Sequence, residues 1–294
     1  MPLVSIIVPV HDMGSFVAEC LASIERQSLR DIEVLCIDGA SSDDSLALCR
    51  AFAEQDARFK VVPLDCNVGA AGARNRGLEL AQGDFVMFMD ADDWYPADTT
   101  VERLYRAAVD HGARIAGGQM CEVDAKTGRA RTDYRDEDHL SLYNFDGDGM
   151  ASYRDWQGDL GYTRFIYERS LIEENNLRFP ALCRYEDPVF FVKAMLAAGE
   201  FYAVAEPVYC YRVNYKPVEL SREAVSDAVE AIVELLVIAQ ENDLQKLKGW
   251  LVDSLQWYLA YDVYHSSTYR LGDALATPLR KLKALAGRAV PARS

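Results

Sequence analysis

Two aspartates at the end of an apolar stretch are the first candidates for chemistry. Residues 85–89 are all hydrophobic, and Asp90, Asp92 and Asp93 follow them within four positions. The stretch has the length of a buried strand, and open α/β sheets bind ligands beyond the carboxyl ends of their strands. Asp90 and Asp92 are two residues apart, so in an extended chain both carboxylates point to one side. Such oxygen ligands favour Mg²⁺ or Mn²⁺ beside substrate phosphates. A solvated acidic loop would show the same sequence pattern.

A second acidic pair stands before a helix later in the chain. Glu186 and Asp187 precede Pro188, and an apolar helical pattern continues to Ala198. Because proline suits the first position of a helix, the spacing predicts Asp187 as the N-cap. A capping carboxylate is held ionised with a lowered pKa. Only an opposing influence, such as desolvation, would raise that pKa.

The elements that must position these acids alternate along the front of the chain. Strands are predicted at 3–10, 32–37, 59–64 and 85–89, and helices at 15–27, at 43–55, up to about residue 81 and at 97–111. This rhythm predicts a parallel sheet with right-handed crossovers, and so an α/β fold. Farther on we expect strands at 113–123, 202–205 and 208–213 and a short helix at 167–175.

Two regions depart from that rhythm. Residues 124–161 are polar and irregular with interspersed aromatic residues, which fits a mobile lid or acceptor loop as well as a plain surface insertion. From about residue 219 the pattern becomes helical, with helices expected at 224–242, 245–264 and 271–285. We therefore divide the chain into 1–216 and a helical region at 217–294. The aromatic stripe Trp250, Trp257, Tyr261 and Tyr264 is expected to pack against the larger part.

Composition excludes several classes of protein. A net charge of −15 argues against a general nucleic-acid binder. Seven cysteines without CxxC spacing indicate buried thiols in a reducing compartment, not disulfides or a zinc site. No signal-peptide or membrane-spanning pattern occurs, which predicts a cytoplasmic protein. The basic tail could rest on an anionic membrane surface, at the inner face of the membrane, although a frayed helix end is favoured; its basic residues are Arg280, Lys281, Lys283, Arg288 and Arg293.

Six segments of the chain carry a joint pattern: 4–12 (VSIIVPVHD), 37–43 (IDGASSD), 67–77 (NVGAAGARNRG), 83–94 (GDFVMFMDADDW), 184–187 (RYED) and 211–212 (YR). In this order they resemble a family 2 glycosyltransferase with a GT-A fold, a Rossmann-like, mostly parallel sheet flanked by helices. They span about the first seven tenths of the chain and leave out the helical tail. Three residues in two of these segments depart from the family pattern: His11-Asp12 replaces Tyr-Asn, and Gly39 replaces the second aspartate of a nucleotide-binding pair.

The resemblance implies an inverting transfer from a nucleotide-diphosphate sugar, most often a UDP-sugar, to a hydroxyl of a glycan or lipid-linked acceptor, as in bacterial surface polysaccharide synthesis. It implies that Asp92, with Asp90, holds Mn²⁺ or Mg²⁺ on the diphosphate, and that Asp187 is the catalytic base. Arg184 and Glu186 would lie on the acceptor side. The residues that would contact the nucleotide sugar are Pro9, Val10, Asp38, Arg74, Asp90 and Ala91.

Two other functions remain open at this point. A sugar nucleotidyltransferase also joins a parallel nucleotide-binding sheet to metal-binding acids, but it usually carries a glycine-rich basic loop near the N-terminus. Residues 11–15 contain neither lysine nor arginine. A catalytically silent nucleotide-sugar-binding module is the other alternative, and the intact acids Asp90, Asp92 and Asp187 count against it.

Overall fold

The computed structural model describes residues 1–137, 139–215 and 220–265. The strands are β1 (Val4–Val10), β2 (Ile32–Asp38), β3 (Phe59–Pro63), β4 (Phe85–Phe88), β5 (Ile115–Asp124), β6 (Ala130–Arg131), β7 (Gly149–Ser152), β8 (Phe165–Glu168) and β9 (Glu200–Val213). The helices are α1 (Val17–Glu25), α2 (Ser45–Gln55), α3 (Gly69–Leu80), α4 (Thr100–Asp110), α5 (Tyr153–Trp156), α6 (Arg169–Glu174), α7 (Glu186–Ala198), α8 (Arg222–Glu241) and α9 (Gln245–His265). Two 3₁₀ helices occupy His139–Tyr143 and Tyr162–Arg164.

The described strands form one mixed sheet flanked by helices, which confirms the α/β class. Its order is β3-β2-β1-β4-β8-β5-β9-β7, with β6 paired to β5. Strands β3, β2, β1 and β4 run parallel, as the strand–helix rhythm predicts. Strand β8 lies antiparallel to both β4 and β5, and β9 lies parallel to β5. The parallel half therefore brings the carboxyl ends of β1, β2 and β4 to one edge of the sheet.

Apolar side chains in β4 and just after it pack on both faces of the sheet. Val86 and Phe88 belong to the core under α3 and α7, whereas Met87 and Met89 belong to the core under α1 and α4. This follows from the alternation of side chains along a strand and explains why every residue of the run is hydrophobic.

Helix α3 packs unusually close to the sheet because its residues are small. A Cβ at Gly77 would lie 2.3 Å from Cγ2 of Ile7 on β1, so only glycine fits there. The small residues therefore serve helix–sheet packing along the middle of the helix. At its amino end, Gly69, Ala70 and Ala73 instead border an open cavity.

Two predicted element boundaries are wrong. The helix expected at 167–175 begins only at Arg169, because Tyr167 and Glu168 finish β8, which pairs on both sides within the sheet. The two strands expected around Pro207 are one strand, β9. Register shifts around Gln119 accommodate the proline, which pairs opposite Gln119 without supplying an N–H.

Residues 124–161 are more ordered than predicted. They contain β6, a 3₁₀ helix, β7 and α5, and Trp156 packs 5.2 Å from the ring of Phe201 in the core. The buried Arg164 holds the segment down, since its Nη2 donates to the carbonyl of Leu142 over 2.9 Å. The composition is polar because the turns are exposed, while the few aromatic residues are the ones that pack.

Helices α8 and α9 begin within two residues of the predicted positions and pack against the sheet domain. Tyr258 is 4% exposed and Tyr261 packs half-buried against the same core, whereas Trp257 is 51% exposed. The expected aromatic stripe is therefore wrong at Trp257. The Tyr264 side chain, the helix expected at 271–285 and the basic tail lie outside the described residues. Within the described residues, every helix is too short or too polar to cross a bilayer.

Candidate functional site

Two cavities adjoin at the carboxyl edge of the sheet. The strand-end cavity, about 410 Å³, is bordered by the ends of β1, β2 and β4 and the start of α3. The α7 cavity, about 340 Å³, is bordered by the start of α7, residues 160–163 and the end of β9. Arg74, Asp90 and Arg184 line both. The acid-bearing strand end and the acid-bearing helix start therefore face a common boundary.

The floor of the strand-end cavity is backbone. Val10 ends β1 opposite Asp38 of β2, and the N–H of Gly39 donates to the Val10 carbonyl over 2.8 Å. Pro9, Val10 and Ala91 line this cavity. Gly69, Ala70 and Ala73 line it as well, and their small side chains leave it open.

Asp38 lies beneath the strand-end cavity and is not among its lining residues. It is fully buried, and one carboxylate oxygen accepts from the N–H of Ser41 over 3.2 Å. The other oxygen, Oδ1, has no hydrogen-bond partner among the described residues. The lining residue at this point is Gly39, so a direct contact from Asp38 to a nucleotide stays a prediction.

Arg74 joins the two acidic clusters. It is buried, and its Nη2 donates to Oδ1 of Asp90 over 2.8 Å while its Nη1 donates to Oε1 of Glu186 over 2.7 Å. The Tyr162 hydroxyl also donates to Oδ1 of Asp90, over 3.2 Å. A charge-assisted pair of this kind fixes both acids. Both terminal nitrogens of Arg74 are therefore engaged by carboxylates across the cavity boundary.

Asp92 and Asp93 face opposite ways. Asp92 lines the strand-end cavity and accepts from the Tyr215 hydroxyl. Asp93 is buried and accepts from the Tyr209 hydroxyl over 2.7 Å and from the N–H of Arg212 over 2.8 Å. Burial, followed by the charges of the two neighbouring aspartates, raises the pKa of Asp93 well above its usual range. Asp93 thus anchors the acidic turn to β9, a role that the sequence did not reveal.

The described residues supply some of the oxygen ligands that a metal ion would need. Groups of three or more histidine, cysteine, aspartate or glutamate side chains do not converge on one point within the described residues. Asp90 and Asp92 nevertheless stand together at the wall of the strand-end cavity. Because Mg²⁺ is commonly held by one or two carboxylates plus substrate phosphates, this pair fits a cation that arrives with a nucleoside diphosphate.

Asp187 occupies the second position of α7. Tyr185, in the left-handed conformation at φ 66°, is the N-cap, and α7 starts at Glu186. The predicted N-cap role of Asp187 is therefore wrong by two residues, because Arg74 draws Glu186 into the first turn. Pro188 still falls in that turn, where a missing N–H costs no hydrogen bond.

The ionisation of Asp187 is shifted. Burial, then the charges of Glu186 and Asp90, raises its pKa to about 7, against an opposing effect of Arg74. Desolvation thus outweighs the helix dipole, which favours the ionised form. A carboxyl with a pKa near 7 is well matched to proton transfer at neutral pH.

The α7 cavity has aromatic walls. Tyr143, Tyr162, Tyr211 and Tyr258 line it, and Tyr211 is 44% exposed. Tyr258 comes from α9, and its hydroxyl accepts from Nε of Arg184 over 3.0 Å. Sequence reasoning missed Tyr258 because no local motif marks it. Only its inward position on α9 distinguishes it from Trp257.

The candidate residues from the sequence come together with one exception. The strand-end cavity is lined by Pro9, Val10, Arg74, Asp90, Ala91, Asp92 and Arg184, and the α7 cavity by Arg74, Asp90, Arg184, Glu186 and Asp187. Asp38 is the exception, since it lies below the lining. The arrangement can hold an anionic ligand with its metal in one cavity and remove a proton from a second ligand in the other.

The chain is similar in sequence to a known protein family. The sequence profile described as glycosyl transferase family 2 matches residues 5–175. A Bacillus subtilis protein named as a glycosyltransferase, EpsH, is 30% identical over 222 residues, which cover 72% of this chain and 61% of EpsH. The chain therefore matches about three fifths of the length of that relative.

Solved structures share the fold. Residues 1–349 of S. aureus TarS, determined in complex with UDP-GlcNAc, superpose with a TM-score of 0.67 at 20% identity, covering 95% of this chain and 78% of the TarS chain. The mannosyltransferase PcManGT from Pyrobaculum calidifontis, in complex with GDP-Man and Mn²⁺, gives a TM-score of 0.60 at 18% identity, covering 98% and 81%. At these identities the likeness shows the architecture alone.

Proposed function

Because the chain belongs to glycosyl transferase family 2, we propose that it transfers a sugar from a nucleoside diphosphate sugar, most simply a UDP-sugar, to a hydroxyl of a glycan or lipid-linked acceptor. The observation that carries the proposal is the pair of cavities joined at Arg74, Asp90 and Arg184. A donor in one and an acceptor in the other would meet at that boundary. Residues 1–216 would form the catalytic domain.

The donor would lie in the strand-end cavity. Pro9, Val10 and Ala91 offer a backbone-rich surface for the nucleoside, and Asp92 with Asp90 would hold Mn²⁺ or Mg²⁺ at the diphosphate. A bound divalent cation supplies Lewis-acid stabilisation of the leaving diphosphate. The co-crystallised UDP-GlcNAc of TarS and the GDP-Man with Mn²⁺ of PcManGT support a donor of this class.

Asp187 would act as the base. In its ionised form it accepts the proton of the acceptor hydroxyl, while that oxygen attacks the anomeric carbon from the face opposite the diphosphate, which inverts the configuration. Its pKa of about 7 leaves a large ionised fraction at neutral pH. Arg74 keeps Glu186 engaged, so the two adjacent carboxyls take different roles.

The acceptor would lie in the α7 cavity, which favours a sugar ring. Tyr143, Tyr162 and Tyr211 present aromatic walls, and a partly exposed ring such as that of Tyr211 can be covered by the apolar face of a sugar. Charged groups at the start of α7 can bind its hydroxyls. This supports a glycan acceptor of the kind used in surface polysaccharide synthesis.

A donor panel tests the function. Purified protein is incubated with UDP-sugars and GDP-mannose, Mn²⁺ and a panel of oligosaccharide or lipid-linked acceptors, and released nucleoside diphosphate is measured. We expect acceptor-dependent release of one diphosphate, lost in Asp187→Asn. Release of pyrophosphate from a nucleoside triphosphate and a sugar phosphate would identify a nucleotidyltransferase instead, and binding without turnover would identify a silent module.

A further inference from the structure

Arg184 occupies the boundary of the two cavities without the carboxylate partners that Arg74 has. Both arginines line both cavities, but the two terminal nitrogens of Arg74 are each bonded to an acid. The bond that Arg184 makes within the described residues is from Nε to the Tyr258 hydroxyl, over 3.0 Å. Arg184 is exposed to solvent, whereas Arg74 is buried, with 5% exposure. The terminal nitrogens of Arg184 are therefore open to a ligand.

Tyr258 fixes where that guanidinium lies. The residue is 4% exposed, and its ring meets that of Tyr185 edge to face at 5.9 Å. It belongs to α9, beyond the residues 5–175 that the family profile matches. A buried hydroxyl that accepts from Nε orients the fork of an arginine and leaves its two terminal nitrogens directed away. The C-terminal helical hairpin thus reaches into the boundary of the cavities.

We propose that Arg184 binds the diphosphate of the donor, and that Tyr258 is the positioning residue that holds it there. The inference rests on the proposed function. An arginine fork matches phosphate oxygens in a way that a lone ammonium does not. The acids beside the boundary would repel a diphosphate, so an unengaged cation there has a definite electrostatic role.

The charge of the reaction places this cation on the donor side. When the bond from the anomeric carbon to the β-phosphate oxygen breaks, its electron pair stays on that oxygen, and the diphosphate gains one negative charge. The new bond joins the anomeric carbon to the acceptor oxygen, whose proton passes to Asp187. Arg184 offsets the added charge of the leaving group, whereas a neutral sugar acceptor would gain nothing from it.

Binding of nucleoside diphosphates tests the proposal without turnover. Affinities for UDP, GDP and the matching nucleosides uridine and guanosine are measured by calorimetry on the full chain with Mn²⁺ and with EDTA. For whichever diphosphate binds the wild type, Arg184→Gln should weaken binding by about ten-fold or more, as expected for loss of a charged hydrogen bond. Affinity for the nucleoside with the same base, which lacks phosphates, should not change. Tyr258→Phe keeps the ring and should lower diphosphate affinity by a smaller factor.

Matched substitutions separate positioning from general damage. Arg178→Gln removes an exposed arginine that lines neither cavity, and Tyr261→Phe removes a hydroxyl one turn along α9. Both should bind the diphosphate like the wild type. Equal diphosphate affinity in Arg184→Gln and wild type, or an equal loss for the nucleoside with the same base, overturns the proposal. An effect of Arg184→Gln confined to the KM for acceptor also overturns it, while the proposed function stands. If the wild type binds no nucleoside diphosphate, the proposed function fails and the inference fails with it.

Discussion

The ionisation of Asp187 should govern the pH dependence of transfer. Its pKa is raised to about 7, and a base works only when deprotonated, so activity should rise with pH through that value. About a tenth of such a carboxyl is ionised at pH 6 and about nine tenths at pH 8, so kcat/KM should rise about ten-fold between them. This rise, the acidic limb of the pH profile, should appear in kcat/KM, because kcat/KM reports the ionisation of groups in the free enzyme.

Two variants make the assignment specific. Asp187→Asn should lower kcat by about a hundred- to ten-thousand-fold, the usual contribution of a general base, and should abolish the limb. Glu186→Gln removes the neighbouring charge that raises the pKa of Asp187, so its limb should move to lower pH. The measurement is the initial rate of nucleoside diphosphate release at low acceptor concentration and constant ionic strength, from pH 5.5 to 8.5.

Three results would contradict the role of Asp187 as the base. A flat kcat/KM between pH 6 and 8 would mean that Asp187 does not limit the reaction as a base. A limb that persists in Asp187→Asn would belong to another group. A limb that moves to higher pH in Glu186→Gln would mean that the two carboxyls are not coupled as their positions at the start of α7 require.

Other substitutions probe the site and its scaffold. Replacing Arg74 by Gln leaves the buried Glu186 and the half-buried Asp90 without their partner and should lower the free energy of unfolding by about 3 kcal/mol in a denaturant titration; an unchanged value would mean that the pairs contribute nothing. Asp92→Asn should reduce the affinity for the bound nucleoside diphosphate in Mn²⁺ to its value in EDTA, and retained Mn²⁺ dependence would exclude Asp92 as a ligand. Gly77→Ala, whose Cβ would lie 2.3 Å from Ile7, should cost about 1–3 kcal/mol of stability. Gly249→Ala, with open space around it on a helix, should be neutral or stabilising by up to about 1 kcal/mol, and equal effects of the two would contradict the close packing of α3.

The parallel half of the fold could be predicted because its signals are local. The apolar run before Asp90 and the small residues before Gly77 each report their own surroundings, and the structure places them as expected. Strand β8 could not be predicted in the same way. Phe165 to Glu168 becomes a strand because β4 and β5 leave a place between them, which is a property of the whole sheet.

In the site, too, residues with a local signal could be predicted, whereas residues positioned by distant partners could not. Residues that follow strand ends, such as Asp90 and Asp92, were found because parallel strands carry their carboxyl ends to one edge. The start of α7 was placed two residues late, since the partner that draws Glu186 into the helix, Arg74, lies 112 positions earlier in the chain. Tyr258 was missed for the same reason, because its partner is Arg184 across the cavity and not a neighbour on α9.

A crystal structure with Mn²⁺ and the nucleoside diphosphate that binds the wild type would show whether the donor and Asp187 share one site. We expect the nucleoside in the strand-end cavity, the diphosphate between Asp92 and Arg184, and Asp187 facing its β-phosphate across the shared boundary without intervening protein. A nucleotide bound elsewhere, or a diphosphate walled off from Asp187, would contradict this expectation.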